Sequence, residues 1–207
     1  MIGDGGIMDF DALLEESVKA HGHLCPGQVL GVRMAIAGLA FIGINDPRGA
    51  QRKDFLVYVE IDRCATDAIG SVTGATLGKR SLKFVDYGKM AASFLNLTTG
   101  RAVRIVAKET ARDMARNLFP GIEDKYDAQT AAYRQMPDKE LFDWMDVIIM
   151  VAPKDMPGRP LKRVRCDRCG EYVQDLRDIS IDSETLCIPC AKGGYYRPCQ
   201  DCSGMAG

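Results

Sequence analysis

Six of the chain's eight cysteines fall in its last 42 residues, as three Cys-x-x-Cys pairs, and no other feature restricts the fold as much. A Cys-x-x-Cys turn presents two thiolates to one ion. Cys166-Asp-Arg-Cys169 and Cys187-Ile-Pro-Cys190 are separated by 17 residues. Two such turns complete a four-sulfur tetrahedral shell, the closed geometry of structural zinc sites. Gly170 permits the tight turn of a zinc knuckle after the first pair, and Glu171–Glu184 has the length of a hairpin with its loop. A module this short lacks the apolar residues for an adequate core without a staple, so four buried, unliganded thiols are the poorer account. The spacing predicts a small zinc-finger domain, treble-clef or ribbon-like, over 166–207, with zinc on Cys166, Cys169, Cys187 and Cys190. An iron–sulfur cluster ranks well behind zinc. The third pair, Cys199 and Cys202, lacks two ligands. It either extends a metal cluster, shares a metal with a second subunit, acts as a redox dithiol or stays as free thiols.

Residues 153–165 (PKDMPGRPLKRVR) carry three prolines, which limit helix and sheet alike, so this stretch reads as a linker. Residues 9–152 read as one α+β domain. Asp9 can cap a helix to about Ala20, and Gln28–Ile42 reads as a largely buried helix. Phe55–Ile61 is a strand by its β-branched and aromatic content. A short helix follows to Thr73, with Thr66 as its cap. Leu82–Val85, Ala91–Leu97 and Ala102–Ala107 read as an antiparallel meander punctuated by Gly88 and Gly100. Helices are expected over about Glu109–Leu118 and Asp138–Trp144. Val147–Val151, apolar on both faces, is expected as a central strand. The fold class is thus α+β, a mixed, largely antiparallel sheet with flanking helices.

The chain's two histidines lie within five residues of each other and of a cysteine: His21-Gly-His23-Leu-Cys25-Pro-Gly27. Pro26 disfavours helix at Cys25 and suits the first position of the next helix. Cys25 then stands at a helix N-terminus, where the dipole favours a thiolate. Cys64 is the one other cysteine outside the tail, just past the 55–61 strand. Together His21, His23, Cys25 and Cys64 make a nitrogen–sulfur set suited to zinc or another transition metal. Packed histidines and buried thiols are the alternative, and the residues alone do not decide. The stretch Thr73–Arg80 glances at a phosphate-binding loop but lacks its first glycine and its final Ser/Thr, and it follows a helix rather than a strand.

HGHLCPGQVLGVRMA, RCATDAIGSVTGATLGKRSL and DYGKMA, in this order and spacing, resemble the FmdE family of formylmethanofuran dehydrogenase proteins across residues 10–150 or so. The resemblance implies an α+β domain that forms a homodimer, of archaeal type, associated with the molybdenum or tungsten enzyme that makes formylmethanofuran. Some members carry a cysteine-rich tail as this chain does. It assigns His23, Cys25 and Gly27, with His21 just before, and Cys64 to the family's shared site. Cys25 and Cys64 become catalytic candidates, and Asp67 a candidate base or partner of a metal ligand. Lys79 and Lys89 become candidates for an anionic group. Where members often carry Gly-Cys-Thr, this chain has Gly74-Ala75-Thr76, which changes any site needing that thiol. The chain provides no large molybdopterin-binding apparatus, so a role in that reaction would be accessory, beside a redox-enzyme partner.

Net charge is -1, which excludes a global field drawing the chain to nucleic acid or anionic membrane. Lys154, Arg159, Lys162, Arg163, Arg165 and Arg168 cluster beside the first knuckle, but six acidic residues from Asp167 to Glu184 follow. A docking surface for a protein is the better reading of the tail than a nucleic-acid surface. MIGDGGIMDF lacks the basic and apolar regions of a signal peptide, and no apolar run approaches the ~20 residues of a bilayer span. A cytoplasmic protein is expected, with cysteines as metal ligands rather than disulfides. Three functions compete: a metalloprotein accessory to one-carbon or molybdenum/tungsten redox metabolism, a stand-alone zinc-dependent enzyme, and a zinc-finger regulator binding nucleic acid.

Overall fold

In a computed structural model, which describes residues 8–197, the chain forms two units that divide between Met150 and Val151. Cys199 and Cys202 lie outside the described residues, as do residues 1–7.

The first unit opens with α1 (Phe10–His21), capped by Asp9, whose carboxylate accepts from the Asp11 and Ala12 N–H groups at 3.0 and 3.3 Å. Gly22 ends it in the left-handed region (φ 99), where its N–H bonds to the Val18 carbonyl. Extended backbone then leads to Cys25, the N-cap of α2 (Pro26–Ile42), with Pro26 in the first turn as the sequence leads one to expect. Helix α2 is apolar nearly all round because it runs through the middle of the unit. Its Val29, Val32, Ala35 and Leu39 are fully buried.

Strand β1 (Phe55–Val59), helix α3 (Cys64–Thr73) and strand β2 (Leu82–Phe84) form a β-α-β unit with β1 and β2 parallel. Strands β3 (Ala91–Asn96), β4 (Ala102–Ala107) and β5 (Phe142–Asp146) add antiparallel neighbours, giving the order β2-β1-β3-β4-β5. Phe55, Val57, Phe94, Val103 and Ile105 join the core that α2 fills. The class is therefore α+β with a mixed five-stranded sheet. Helices α4 (Thr110–Leu118), α5 (Lys125–Gln135) and α6 (Asp138–Leu141) complete the unit.

Four expectations require correction. The meander breaks between β2 and β3: β2 lies parallel to β1, and the chain passes round the end of β1, where Tyr87 and Lys89 N–H groups bond to the Glu60 carbonyl. Thr66 is not a cap; Arg63 is the N-cap of α3, and the Thr66 hydroxyl donates to the Ile61 carbonyl at 2.5 Å. The helix expected to reach Trp144 stops at Leu141, because Phe142–Asp146 pair with the open edge of β4. Val147–Val151 is then no central strand: it runs past the start of β4, and Ile148 and Met150 are about nine-tenths exposed. Helix α5 has no counterpart among the expected elements; it has a clear cap in Asp124 but only small alanines and Tyr133 on its buried face.

In the second unit, after a short 3-10 turn at Pro153–Asp155, β6 (Arg163–Arg165) pairs with β7 (Tyr172–Gln174) and β8 (Ile179–Ile181) with β9 (Glu184–Leu186). Thus part of the proline-rich stretch is strand. Asp182 and Ser183 turn the second hairpin with positive φ at both positions. A short helix, α7 (Ile188–Lys192), follows.

Candidate metal centres

The ligand atoms of His21, His23, Cys25 and Cys64 all lie within 4.8 Å of one another. Three helices bring them together. His21 is the last residue of α1, Cys25 the N-cap of α2 and Cys64 the first residue of α3. His23 stands in the turn between the first two, its ring 4.6 Å from that of His21. The close approach of α2 and α3 depends on glycine. A Cβ at Gly27 would meet Cys64 Cβ at 3.0 Å, and one at Gly31 would lie 2.5 Å from the Ala65 carbonyl oxygen.

His21 is held by its other ring nitrogen: Nδ1 is 2.9 Å from an Asp67 carboxylate oxygen. Its Nε2 is buried and has no hydrogen-bond partner. A buried polar atom left unpaired is costly. A cation beside Nε2 would satisfy it, and the histidine–carboxylate pair is the arrangement that orients metal-bound imidazoles. Burial, then the hydrogen bond and charge of Cys25, then the charge of Asp67, push the Cys64 thiol above its ordinary range. A bound cation acts in the opposite sense and favours the thiolate. The residues present therefore fit a transition metal.

Sequence reasoning missed the bridge behind this cluster. Gln28 is fully buried; its Oε1 accepts from the Ser17 hydroxyl of α1, and its Nε2 donates to the Cys64 carbonyl of α3 at 2.7 Å. The available signal was a lone amide in an otherwise apolar helix start. A cavity of about 440 Å³ opens beside the cluster, reaching His21, Cys64 and Asp67. Lys79 and Lys89 are not among its lining residues. The Lys79 ammonium donates to the Gly74 carbonyl at 3.3 Å, and the Lys89 ammonium lies 5.9 Å from the Tyr87 ring centre.

In the second unit the sulfurs of Cys166, Cys169, Cys187 and Cys190 also lie within 4.8 Å of one another. Cys166 and Cys169 occupy the β6–β7 turn, with Gly170 at φ 78, and Cys187 is the N-cap of α7. The Cys187 N–H donates to Cys166 Sγ at 3.3 Å and the Cys190 N–H to Cys187 Sγ at 3.4 Å. Backbone N–H groups, those of Cys169 and Cys187 foremost, pull the Cys166 thiol down to about 6. The side chain of Cys187 first, then burial and the remaining sulfurs, push Cys190 up to about 12. A cation bound among these sulfurs would favour thiolates in the cluster. The basic cluster beside the knuckle is partly spent inside the module. Arg163 stacks on Tyr172 at 4.4 Å, Arg165 donates to the Gly170 carbonyl, and Arg168 to the Cys190 carbonyl and Glu184.

The family model described as FmdE, Molybdenum formylmethanofuran dehydrogenase operon, matches residues 20–143, more than half of the chain. A probable S-adenosyl-L-methionine-binding protein of Archaeoglobus fulgidus is 28% identical in a match that covers 89% of this chain and 53% of that protein. The chain thus spans about half the length of this relative. A crystal structure of a tungsten formylmethanofuran dehydrogenase FmdE-like protein from Syntrophus aciditrophicus matches with a TM-score of 0.60 at 21% identity. It covers 91% of this chain and 95% of that one, and the likeness is one of fold.

Proposed function

The chain belongs to the FmdE family, and from that premise we propose that it is a cytoplasmic metalloprotein accessory to one-carbon or molybdenum/tungsten redox metabolism. His21, His23, Cys25 and Cys64 hold a zinc or other transition-metal ion; Cys166, Cys169, Cys187 and Cys190 hold a structural zinc. The chain works as a homodimer beside a redox-enzyme partner. The observation that carries the first site is His21: Nδ1 is fixed by Asp67 while Nε2 is buried without a hydrogen-bond partner. The tail site is supported by its core, which consists of Cys166, Leu186 and Cys187 with Val173, Cys190 and Ala191 packed around them. So little apolar burial calls for a metal staple.

The test is metal content per chain in the full-length protein. About two metals are expected, falling to one in Cys25→Ser/Cys64→Ser and to one in Cys166→Ser/Cys169→Ser. A wild-type content of one metal, unchanged in Cys25→Ser/Cys64→Ser, overturns the main-unit site. A monomer mass by sedimentation equilibrium overturns the dimer.

One observation favours a second reading, a stand-alone metal-dependent enzyme: the cavity of about 440 Å³ reaches the cluster itself. A metal there supplies Lewis-acid polarisation. Asp67, bound to His21, serves in this reading to orient the imidazole and hold its Nδ1 proton.

A further inference from the structure

The cavity beside the His/Cys cluster carries two charges that the fold does not use. Its apolar side is built from Val59, Leu77, Leu82 and Phe84, and its polar side includes Asp62 and Arg63. Leu77 is 64% exposed and Phe84 44%, large apolar side chains facing a space that water alone would fill. The other polar groups of the wall are engaged: Thr66 with the Ile61 carbonyl and Asp67 with His21. Asp62 and Arg63 are exposed, and among the described residues their side chains make no ion pair or hydrogen bond.

Asp62 and Arg63 both line this cavity, so opposite charges are available to one ligand within it. A guanidinium offers a planar fork that matches a carboxylate, and a carboxylate accepts from an ammonium. A simple anion in this cavity would meet Asp62 and Asp67 along with Arg63, and a simple cation would meet Arg63. A zwitterion answers both signs. The apolar wall then requires an apolar body on the same molecule.

We infer that this cavity binds a zwitterionic α-amino acid with an apolar side chain, its carboxylate on Arg63, its ammonium on Asp62 and its side chain against Leu77, Leu82 and Phe84. The inference goes beyond the metal-site reading and does not rest on it, since the two charges and the apolar wall are present whatever the cluster holds. A ligand seated so would nonetheless lie against His21 and Cys64, which line the same cavity.

Calorimetric titration of the full-length protein with three probes of one body tests it: L-phenylalanine, 3-phenylpropionate without the ammonium, and 2-phenylethylamine without the carboxylate. Phenylalanine is expected to bind, and each truncated probe about tenfold more weakly or worse. Arg63→Gln should erase the advantage of phenylalanine over 2-phenylethylamine, and Asp62→Asn its advantage over 3-phenylpropionate. Phe84→Ala should weaken all three. Both charge variants should keep the wild-type metal content, whereas Cys25→Ser/Cys64→Ser reports on the metal separately. Absence of phenylalanine binding at about 10 mM overturns the inference. So does a 3-phenylpropionate affinity within about threefold of phenylalanine, or indifference to Arg63→Gln.

Discussion

Replacing Gln28 with leucine attacks the bridge that ties α1 and α3 to α2 behind the cluster. Leucine conserves most of the volume at a fully buried site, so the cost lies in the groups left behind. The Ser17 hydroxyl, on a residue 1% exposed, loses its acceptor, and the Cys64 carbonyl loses a donor at 2.7 Å. A stranded buried polar group costs about 1–3 kcal/mol. The Cys64 carbonyl falls at the low end, because the first residue of a helix also accepts from its own fourth neighbour. The Ser17 hydroxyl can turn back to a carbonyl of its own helix and recover part of its loss. The sum is about 2–3 kcal/mol, a fall in melting temperature of about 5–10 °C for a unit of this size. Thermal unfolding of the chelator-treated full chain reads it. The decisive comparison is Ser17→Ala/Gln28→Leu, which removes the stranded hydroxyl and should be about 1 kcal/mol more stable than Gln28→Leu alone. A double variant destabilised by the full sum of the single changes would refute this account of the bridge. Metal affinity at the main cluster should fall in parallel, because Cys64 rides on the strapped helix.

Asp67→Asn keeps the shape beside His21 but removes the charge; metal affinity at the main cluster should fall about 10–100-fold, read by competition with a chromophoric chelator. Unchanged affinity would mean that Asp67 does not orient the imidazole. Gly31→Ala places a methyl 2.5 Å from the Ala65 carbonyl oxygen and 2.7 Å from Ala68 Cβ, so α2 and α3 must separate. Unfolding titrations should show a loss of about 3 kcal/mol, with the main metal lost first; a neutral variant would show that the helix pair yields freely. In the metal-free tail, Cys166 is pulled down from 9.0 to about 6, so its contribution is complete above 9.0 and is lost as pH falls towards 6. Cys190 is pushed from 9.0 to about 12, so its contribution is complete below 9.0 and is lost as pH rises towards 12. The residual stability of the chelated tail, read by denaturant titration, should therefore be greatest near pH 9, and a maximum below pH 6 would contradict these directions.

The parts of this molecule legible in the sequence are those where chemistry and chain spacing coincide. Cys166 to Cys190 needed only their intervals, because a knuckle and a helix N-cap set both pairs within a few residues. His21, His23 and Cys25 were legible as a set for the same reason, and Pro26 placed Cys25 at a helix start. Cys64 lies 39 positions beyond Cys25, and it joined the set as the one other cysteine outside the tail, just past a strand, with the family resemblance strengthening a placement that no periodicity gives. What makes that placement physical is the pair Gly27 and Gly31, whose missing side chains let α3 press on α2. The sheet order was illegible for a related reason. Leu82–Phe84 and Ala91–Asn96 have equal claims on a neighbour by composition. Backbone bonds at Glu60, which carry no side-chain signature, send one to each side of β1. Val147–Val151 misled because apolar content speaks of burial only where a strand edge remains to be paired, and β4 had already been taken.

The two clusters differ in what the fold does for them. In the tail, the core is a leucine between two of the cluster cysteines, so a bound metal would supply most of the packing and its removal should destabilise that unit alone. In the main unit, α2 is buried along its length and the sheet packs on it with ordinary side chains, so the fold needs no ion. Yet that unit keeps a buried imidazole nitrogen unpaired, raises a cysteine thiol by burial and spends a buried Ser–Gln bridge on holding the residue that carries it. These features lower the stability of a metal-free chain and would be eliminated by any apolar repacking of the same three helix ends. A structural site offsets its own cost, as the tail does. A site set at the expense of its own fold, open to a cavity with unused charges, is where the function of this chain is to be sought.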